Sequence, residues 1–476
     1  MSFTSPLFYV ALLPAVTAFY LLPGRWRPIY LLAVSYAFYA LSSPLYLVLL
    51  IVASAGVYAI GLAIAKSSSE RVKQALMAVG VAAMVGVIVV FKAAGAWRGL
   101  LLPLGISYYS FKLISYLIEV YWDDEAVERD PVVFFLFPAF FPQIVSGPIQ
   151  RPAPFSTQMR DVMARTIDPD QIETGLRLIL GGLMMKILVG DRLAGFIELI
   201  DQSHSDFSYS IMLTTVACYM LQLYADFAGY TNIALGVGKL FGVDGPPNFH
   251  APFAAVNVQE LWRRWHMSLT SWVTDYLFTP LSMSLRALGQ VGLVLCIMLN
   301  MLIIGLWHGL TLNFLVFGVL QGVLVSVTAL VVMSLRRRGR TRVKSAPDEQ
   351  IDTIDRRVRR WTLALAGMTL TFALMSLTTI FWRSPTWDQA VSILMQVLAV
   401  SPSGPSDWSD LPASLTVPAW ICMAVALFVG AGAPGAKRLA ARIDEVAPNW
   451  LQYGVCLFLL SVLSTAGSGR FVYGQF

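Results

Sequence analysis

The chain alternates long apolar segments with short polar connections from one end to the other. A helix needs about 20 apolar residues to cross a bilayer, at a rise of about 1.5 Å per residue. The apolar runs lie at about 6–22, 29–41, 44–65, 74–91, 100–121, 132–149, 175–200, 209–225, 227–241, 268–285, 290–307, 310–335, 361–382, 416–434 and 450–467. This pattern predicts an all-α integral membrane protein.

Some of these runs are too short, or too often interrupted by proline and glycine, to span alone. We therefore expect about eleven transmembrane helices. The segments near 103–105, 138–148 and 229–242 are predicted to be re-entrant or kinked, which is tolerated only where protein or a water-filled cavity covers the backbone. Composition agrees, because 57% of residues are hydrophobic and 13% are charged, against about 25% charged in soluble domains. Residues 1–476 are predicted to form one membrane domain.

Positive charge is concentrated in short loops, for example at Arg25 and Lys66. By the positive-inside rule these loops face the cytoplasm and the N-terminus lies outside. The polar segment 336–360 has ten Arg or Lys against four acidic residues, so we expect another cytoplasmic loop, and the turn-rich stretch 401–415 is expected outside. The net charge of +6 forms no basic arm or stripe, so nucleic acid binding is not expected.

The four cysteines lie inside apolar runs without the close spacing of a zinc or redox motif, so we interpret them as packing residues. No metal site is predicted. The first five residues include no Lys or Arg before the first apolar run, which favours a retained first helix over a cleaved signal peptide.

His266 ends the tryptophan-rich segment ELWRRWH at 260–266. As a helix, this segment and its continuation would place Trp262, Trp265 and Trp272 on one face and Glu260 with its charged neighbours on another. Such a helix would rest in the membrane interface, with an ion pair from Glu260 to Arg264. On this evidence alone His266 is equally well explained as part of an interfacial anchor.

His308 lies near the middle of an apolar stretch, about 288–335, that is too long for one span. Counting residues places it at a turn towards the non-cytoplasmic face. Gly305 and Gly309 flank it and also permit a kinked, solvent-reached cavity. A neutral imidazole there suits a general base near neutral pH. The alternative is a histidine that only bonds a neighbouring carbonyl.

Six short motifs occur in a fixed order along the chain. They are PLGISYY (103–109), FPQIVSGPI (141–149) with Arg151, YADFAGYTN (224–232), NFHAP (248–252), ELWRRWH (260–266) and GLWHG (305–309). Together they resemble the membrane-bound O-acyltransferase family, in particular the bacterial branch that serves alginate O-acetylation and D-alanine export for teichoic acid. The resemblance covers about 103–322. On this basis we divide the chain into N-terminal helices (1–100), a catalytic core (101–335), a basic loop (336–360) and C-terminal helices (361–476).

The resemblance implies that His308 is catalytic and that His266 is a second functional position. It also implies a ring of helices around a thinned centre, in which a tunnel joins a cytoplasmic acyl donor to an acceptor on the other side. The chain departs from its relatives after 276–281, where it continues with 282–286 instead of a glycine, asparagine and arginine run, and at Ala228 and Asn232. The changed loop at 282–286 lies next to the expected donor side, so the resemblance does not fix the donor or its carrier.

The function we predict is transfer of an acyl group, by resemblance acetyl, onto a hydroxyl of a cell-surface polysaccharide. The donor would be a thioester, acetyl-CoA or an acyl carrier protein, and no cofactor stays bound. His308 would take the hydroxyl proton and His266 would orient the donor. The other residues predicted to line the tunnel or bind substrate are Trp307, Asp226, Tyr230, Asn232, Asn248, Trp262 and Arg263. Helix packing is the alternative for those in 226–232, and lipid headgroup contact for the arginines.

The resemblance further implies a bacterial cytoplasmic membrane location and an extracytoplasmic acyltransferase partner. Two other functions remain open at this point. One is a transporter or flippase of a lipid-linked sugar, although the chain has no internal repeat of the kind many transporters show. The other is an acyltransferase of the same family that acts on a lipid or protein hydroxyl.

Overall fold

The computed structural model describes residues 3–98, 103–145, 147–164, 166–343, 354–400, 404–432, 442–445 and 447–463. No β-strand occurs in these ranges, and one isolated bridge joins Phe207 to Ser406. The first ten α-helices are α1 Pro6–Leu21, α2 Arg27–Ala40, α3 Pro44–Lys66, α4 Glu70–Arg98, α5 Ile106–Trp122, α6 Pro131–Ala139, α7 Phe141–Ile144, α8 Pro152–Ala164, α9 Pro169–Leu183 and α10 Asp191–Gln202.

The second half of the chain continues in the same way. Its α-helices are α11 Tyr209–Leu240, α12 Val258–Trp262, α13 Met267–Val273, α14 Thr279–Ser284, α15 Gly289–His308, α16 Leu312–Val343, α17 Ile354–Arg383, α18 Trp387–Val397, α19 Ala413–Gly430 and α20 Asn449–Leu463. Two π-helical turns, Met184–Gly190 and Thr274–Phe278, join α9 to α10 and α13 to α14. The predicted all-α membrane fold is confirmed.

Seven helices in the described part of the chain are long and apolar enough to cross a membrane, namely α3, α4, α11, α15, α16, α17 and α19. Three shorter apolar stretches accompany them. This is fewer than the predicted eleven because runs such as 132–149 and 268–285 are divided into short helices. On the peripheral helices, apolar side chains such as Val52 and Val90 are more than half exposed, as expected of a surface in contact with lipid tails.

Helix α11 forms the centre of the bundle. In its most apolar stretch of 18 residues, 83% of the residues are buried, compared with 17–39% in the other six candidate spans. It runs without a break from Tyr209 to Leu240, so the prediction that 229–242 is re-entrant is wrong for this helix. Its glycines instead allow close helix packing: a Cβ on Gly236 would lie 2.5 Å from the carbonyl oxygen of Gly175 on α9. Small residues let membrane helices approach closely.

The other two predicted irregular segments interrupt the helices. A turn at 103–105 precedes α5, with Gly105 at φ 66°. Helix α6 ends at Ala139, the one-turn α7 follows, and 147–151 is irregular again. Of the predicted basic loop 336–360, the residues 344–353 lie outside the described ranges, and α16 and α17 extend into it from either side.

Gly182 provides a test of the contact between α9 and α11. A Cβ there would lie 2.5 Å from the carbonyl oxygen of Gly229, whereas a Cβ on the preceding Gly181 meets no atom within 4 Å. We expect Gly182→Ala to lower the unfolding free energy by about 1–3 kcal/mol through overpacking. Gly181→Ala is the matched control, because it makes the same chemical change in the same helix. Equal melting temperatures of the two variants in detergent would contradict the packing argument.

Candidate active site

His308 is the last residue of α15 and lies at the turn into α16. The two helices cross closely here, since a Cβ on Gly305 would lie 2.5 Å from the carbonyl oxygen of Phe314. The imidazole is nevertheless only 5% exposed. Aromatic rings of α16 and α17 cover it, with centroid distances of 6.1 Å to Phe314 and 6.1 Å to Trp382. His308 therefore lies at a turn, as counting residues predicts, and is also buried, as the resemblance implies.

His266 lies in the turn between α12 and α13, in the left-handed backbone region at φ 43°. The predicted single helix through the tryptophan segment is therefore divided at 263–266. The His266 ring is 1% exposed and packs 4.7 Å from the ring of Phe227 on α11. Trp262, Trp265 and Trp272 are all buried. The ion pair predicted between Glu260 and Arg264 is present at 2.7 Å.

Asn248 holds the turn that carries His266. Its backbone carbonyl accepts a hydrogen bond from the N–H of Met267 at 2.9 Å, and its side-chain oxygen accepts one from the Ser268 hydroxyl at 2.6 Å. Its side-chain amide donates to the Thr231 hydroxyl on α11 at 3.2 Å. A left-handed residue is strained unless its surroundings hold it. Asn248 thus supports His266 from outside the cavity.

Both histidines line one small cavity. Its other described lining residues are Met220, Leu223, Trp262, Trp265, Leu269, Phe317, Met375, Thr379 and Trp382. Trp307 lies against both imidazoles, with ring centroids 4.7 Å from His308 and 6.3 Å from His266. The cavity volume is about 20 Å³, enough for one water molecule. The space beside the two histidines is therefore small, and the tunnel stays a prediction.

Polar contacts keep the cavity wall in place. The Trp262 indole N–H donates to the side-chain oxygen of Gln321 on α16 at 3.0 Å, and the Gln321 amide donates to the Thr378 hydroxyl on α17 at 2.8 Å. Sequence reasoning missed Gln321 and Trp382. For Gln321 the signal was present, because an amide inside an apolar run needs a hydrogen-bond partner.

A second, apolar cavity of about 540 Å³ lies on the other side of Trp307. Helices α4, α5, α13 and α15 line it, and Leu269 contributes to both cavities. Phe111 stacks on Trp307 at 5.5 Å and on Trp272 at 4.4 Å. Trp307 therefore separates the histidines from a roomier apolar space.

Four other residues predicted for the site lie elsewhere. Asp226 makes an ion pair with Lys186 at 2.7 Å. Tyr230 is buried and stacks on Phe3 at 5.1 Å. Asn232 is half-buried and Arg263 is exposed. None of the four is among the described residues that line the histidine cavity. Within the described ranges, no group of three His, Cys, Asp or Glu side chains is arranged to hold a metal ion.

Part of the chain matches a known protein family. Residues 125–346 match the model of the membrane-bound O-acyltransferase family. A probable alginate O-acetylase of Pseudomonas fluorescens is 33% identical over 69% of this chain and 66% of its own length. One from Azotobacter vinelandii is 32% identical over 69% and 68%. A peptidoglycan O-acetyltransferase of Helicobacter pylori is 28% identical over 68% and 70%. The chain thus spans slightly less than two thirds of the first of these relatives.

Fold and site together define a multi-pass helical membrane protein with two buried histidines at one central cavity. Both histidines fall within the matched residues 125–346. The chain belongs to the membrane-bound O-acyltransferase family. The resemblance carried by the six motifs is therefore confirmed.

Proposed function

We propose that this chain is an O-acyltransferase that moves an acyl group, acetyl in the first instance, from a thioester to a hydroxyl of a cell-surface polysaccharide. The observation that carries the proposal is the convergence of His308 and His266 on one buried cavity around Trp307. Ionisable side chains at such depth are costly and tend to serve function. The names of the alginate and peptidoglycan relatives support a polysaccharide acceptor.

In the proposed reaction the acceptor oxygen attacks the carbonyl carbon of the thioester while the His308 imidazole accepts the hydroxyl proton. The carbon–sulfur bond breaks, and the sulfur leaves as a thiol after taking that proton from His308. The products are an ester and a free thiol, so no further reactant is needed. His266 orients the donor, and the exclusion of bulk water from the buried site suppresses hydrolysis of the thioester.

The substrates require more room than the cavity of about 20 Å³ offers. Their binding must therefore displace side chains around the histidines, and the candidates are Leu269, which lines both cavities, and Trp307, which contacts both imidazoles and lines the larger cavity. Holding donor and acceptor in one narrow passage supplies the proximity term of catalysis.

We further propose that the protein lies in the bacterial cytoplasmic membrane with its N-terminus outside. The donor, acetyl-CoA or an acyl carrier protein, would bind on the cytoplasmic side. An extracytoplasmic acyltransferase would be the partner.

The test compares surface polysaccharide from cells with and without the intact chain by mass spectrometry. We expect the number of acetyl esters per sugar to fall when the chain is lost. A drop in the total amount of polymer with an unchanged ester ratio would contradict the proposal and favour a transporter. An unchanged polysaccharide with ester loss from a lipid or protein would redirect the acceptor.

A purified assay addresses the donor and the partner. The full chain in lipid nanodiscs receives acetyl-coenzyme A and the surface polysaccharide, and free thiol is measured. Thiol release from this mixture alone supports direct transfer. Release only after an extracytoplasmic protein fraction is added supports the partner, and no release in either case contradicts coenzyme A as donor.

A further inference from the structure

Lys92 brings a buried positive charge to His308 from a helix outside the predicted catalytic core. It lies on α4 at the end of an apolar run and is 7% exposed. Its ammonium group donates a hydrogen bond to the backbone carbonyl of His308 at 3.3 Å, across 216 residues of sequence. The same nitrogen lies 5.9 Å from the ring centroid of Trp307. Lys92 therefore lies against two adjacent residues of the GLWHG motif, Trp307 and His308.

The surroundings of Lys92 differ from those of another buried lysine. Lys186 is neutralised by two carboxylates, Asp191 at 2.5 Å and Asp226 at 2.7 Å. Within the ranges that the structure describes, no carboxylate lies within ion-pairing distance of Lys92. A buried charge that is compensated only by a carbonyl and an aromatic ring is costly. Such a charge lowers stability, so its presence beside His308 points to function.

The His308 carbonyl is the last one of α15, and the final carbonyls of a helix lack a donor within the helix. A cation at a helix C-terminus also interacts favourably with the helix dipole. The Lys92 ammonium thus connects α4 to the end of α15 and restrains the residue whose imidazole enters the cavity.

We propose that Lys92 is a positioning residue that holds His308 in the geometry needed for proton transfer. This inference rests on the proposed acyltransferase function. Because a misplacement of about 1 Å can cost on the order of a hundredfold in rate, loss of the ammonium group should lower kcat more than it changes KM.

The experiment compares Lys92→Met, Lys92→Arg and Lys73→Met with the wild-type full chain in nanodiscs. Thiol release from acetyl-coenzyme A with the surface polysaccharide is measured, and so is thermal unfolding. For Lys92→Met we expect kcat to fall on the order of ten- to a hundredfold, with little change in the KM for acetyl-coenzyme A. Its melting temperature should stay equal or rise, because methionine removes a buried charge. Lys92→Arg should recover most of the activity.

Lys73→Met is the matched control, since Lys73 lies on the same helix but makes an ion pair with Asp124 at the surface. Wild-type activity in Lys92→Met would overturn the inference. So would a loss that accompanies a lower melting temperature and is not restored by arginine, because that is the behaviour of a purely structural residue. If the wild type, Lys73→Met and Lys92→Met all turn over normally, only the inference about Lys92 fails. If the wild type releases no thiol, the proposed function fails with it.

Discussion

Replacing His308 by asparagine is expected to lower kcat for acyl transfer by on the order of 10²–10⁴-fold, the usual contribution of a general base. Asparagine is polar and fits the space of the imidazole, but it cannot accept the hydroxyl proton near neutral pH. His308 closes α15 and is covered by Phe314 and Trp382. We therefore expect the protein to fold, so that the loss appears in turnover rather than in yield.

The control for this experiment is His204→Asn. His204 does not line the histidine cavity, and it lies in a short turn where its ring forms a hydrogen bond with the Ser392 hydroxyl at 3.0 Å. It should keep wild-type turnover. A His308→Asn protein that folds and retains more than about a tenth of the activity would be inconsistent with a general base. For His266 the informative substitution is again asparagine, because asparagine tolerates the left-handed backbone at φ 43°.

Replacing Lys186 by methionine is expected to cause the largest loss of stability, about 3–5 kcal/mol. The Lys186 side chain is 2% exposed and lies between Asp226 and Asp191 in the centre of the bundle. Removing one partner of a buried pair leaves uncompensated charge, and here two carboxylates would remain. The effect should appear as a large fall in melting temperature in detergent, or as failure to accumulate in the membrane.

A second substitution separates charge from packing. Adding Asp226→Asn to Lys186→Met removes one of the orphaned carboxylates and should recover part of the lost stability, a non-additive result. Lys239→Met is the surface control, since Lys239 pairs with the exposed Asp244 at 2.5 Å and such pairs contribute about 0–1 kcal/mol. Equal destabilisation by Lys186→Met and Lys239→Met would contradict the argument.

Several features of the site could be predicted from the sequence because they depend on local residue order. The i, i+4 pair of Glu260 and Arg264 follows from helix periodicity and is observed. The position of His308 at a turn follows from the length of its apolar stretch. Its burial was suggested only by the family resemblance, since counting residues along one segment says nothing about which rings cover its end.

Other features depend on contacts that no local pattern contains. The glycines of 229–236 were interpreted as a re-entrant or kinked segment, but they pack against α9 and α11 continues through them without a break. The left-handed turn at His266 is held by Asn248 from another segment. Asp226 and Tyr230 share the helix that carries Phe227, yet helix rotation directs them to Lys186 and Phe3 instead of to the cavity.

The sequence by itself determined that this chain is a helical membrane protein with two histidines in motifs typical of acyl transfer. Hydropathy and motif order are properties of residues along the chain, so they can be determined without knowledge of the fold. Only the tertiary structure decided which polar side chains face the cavity and that Lys92 reaches His308 across 216 positions. That choice is set by how helices rotate and cross, and helix packing is a property of the whole bundle.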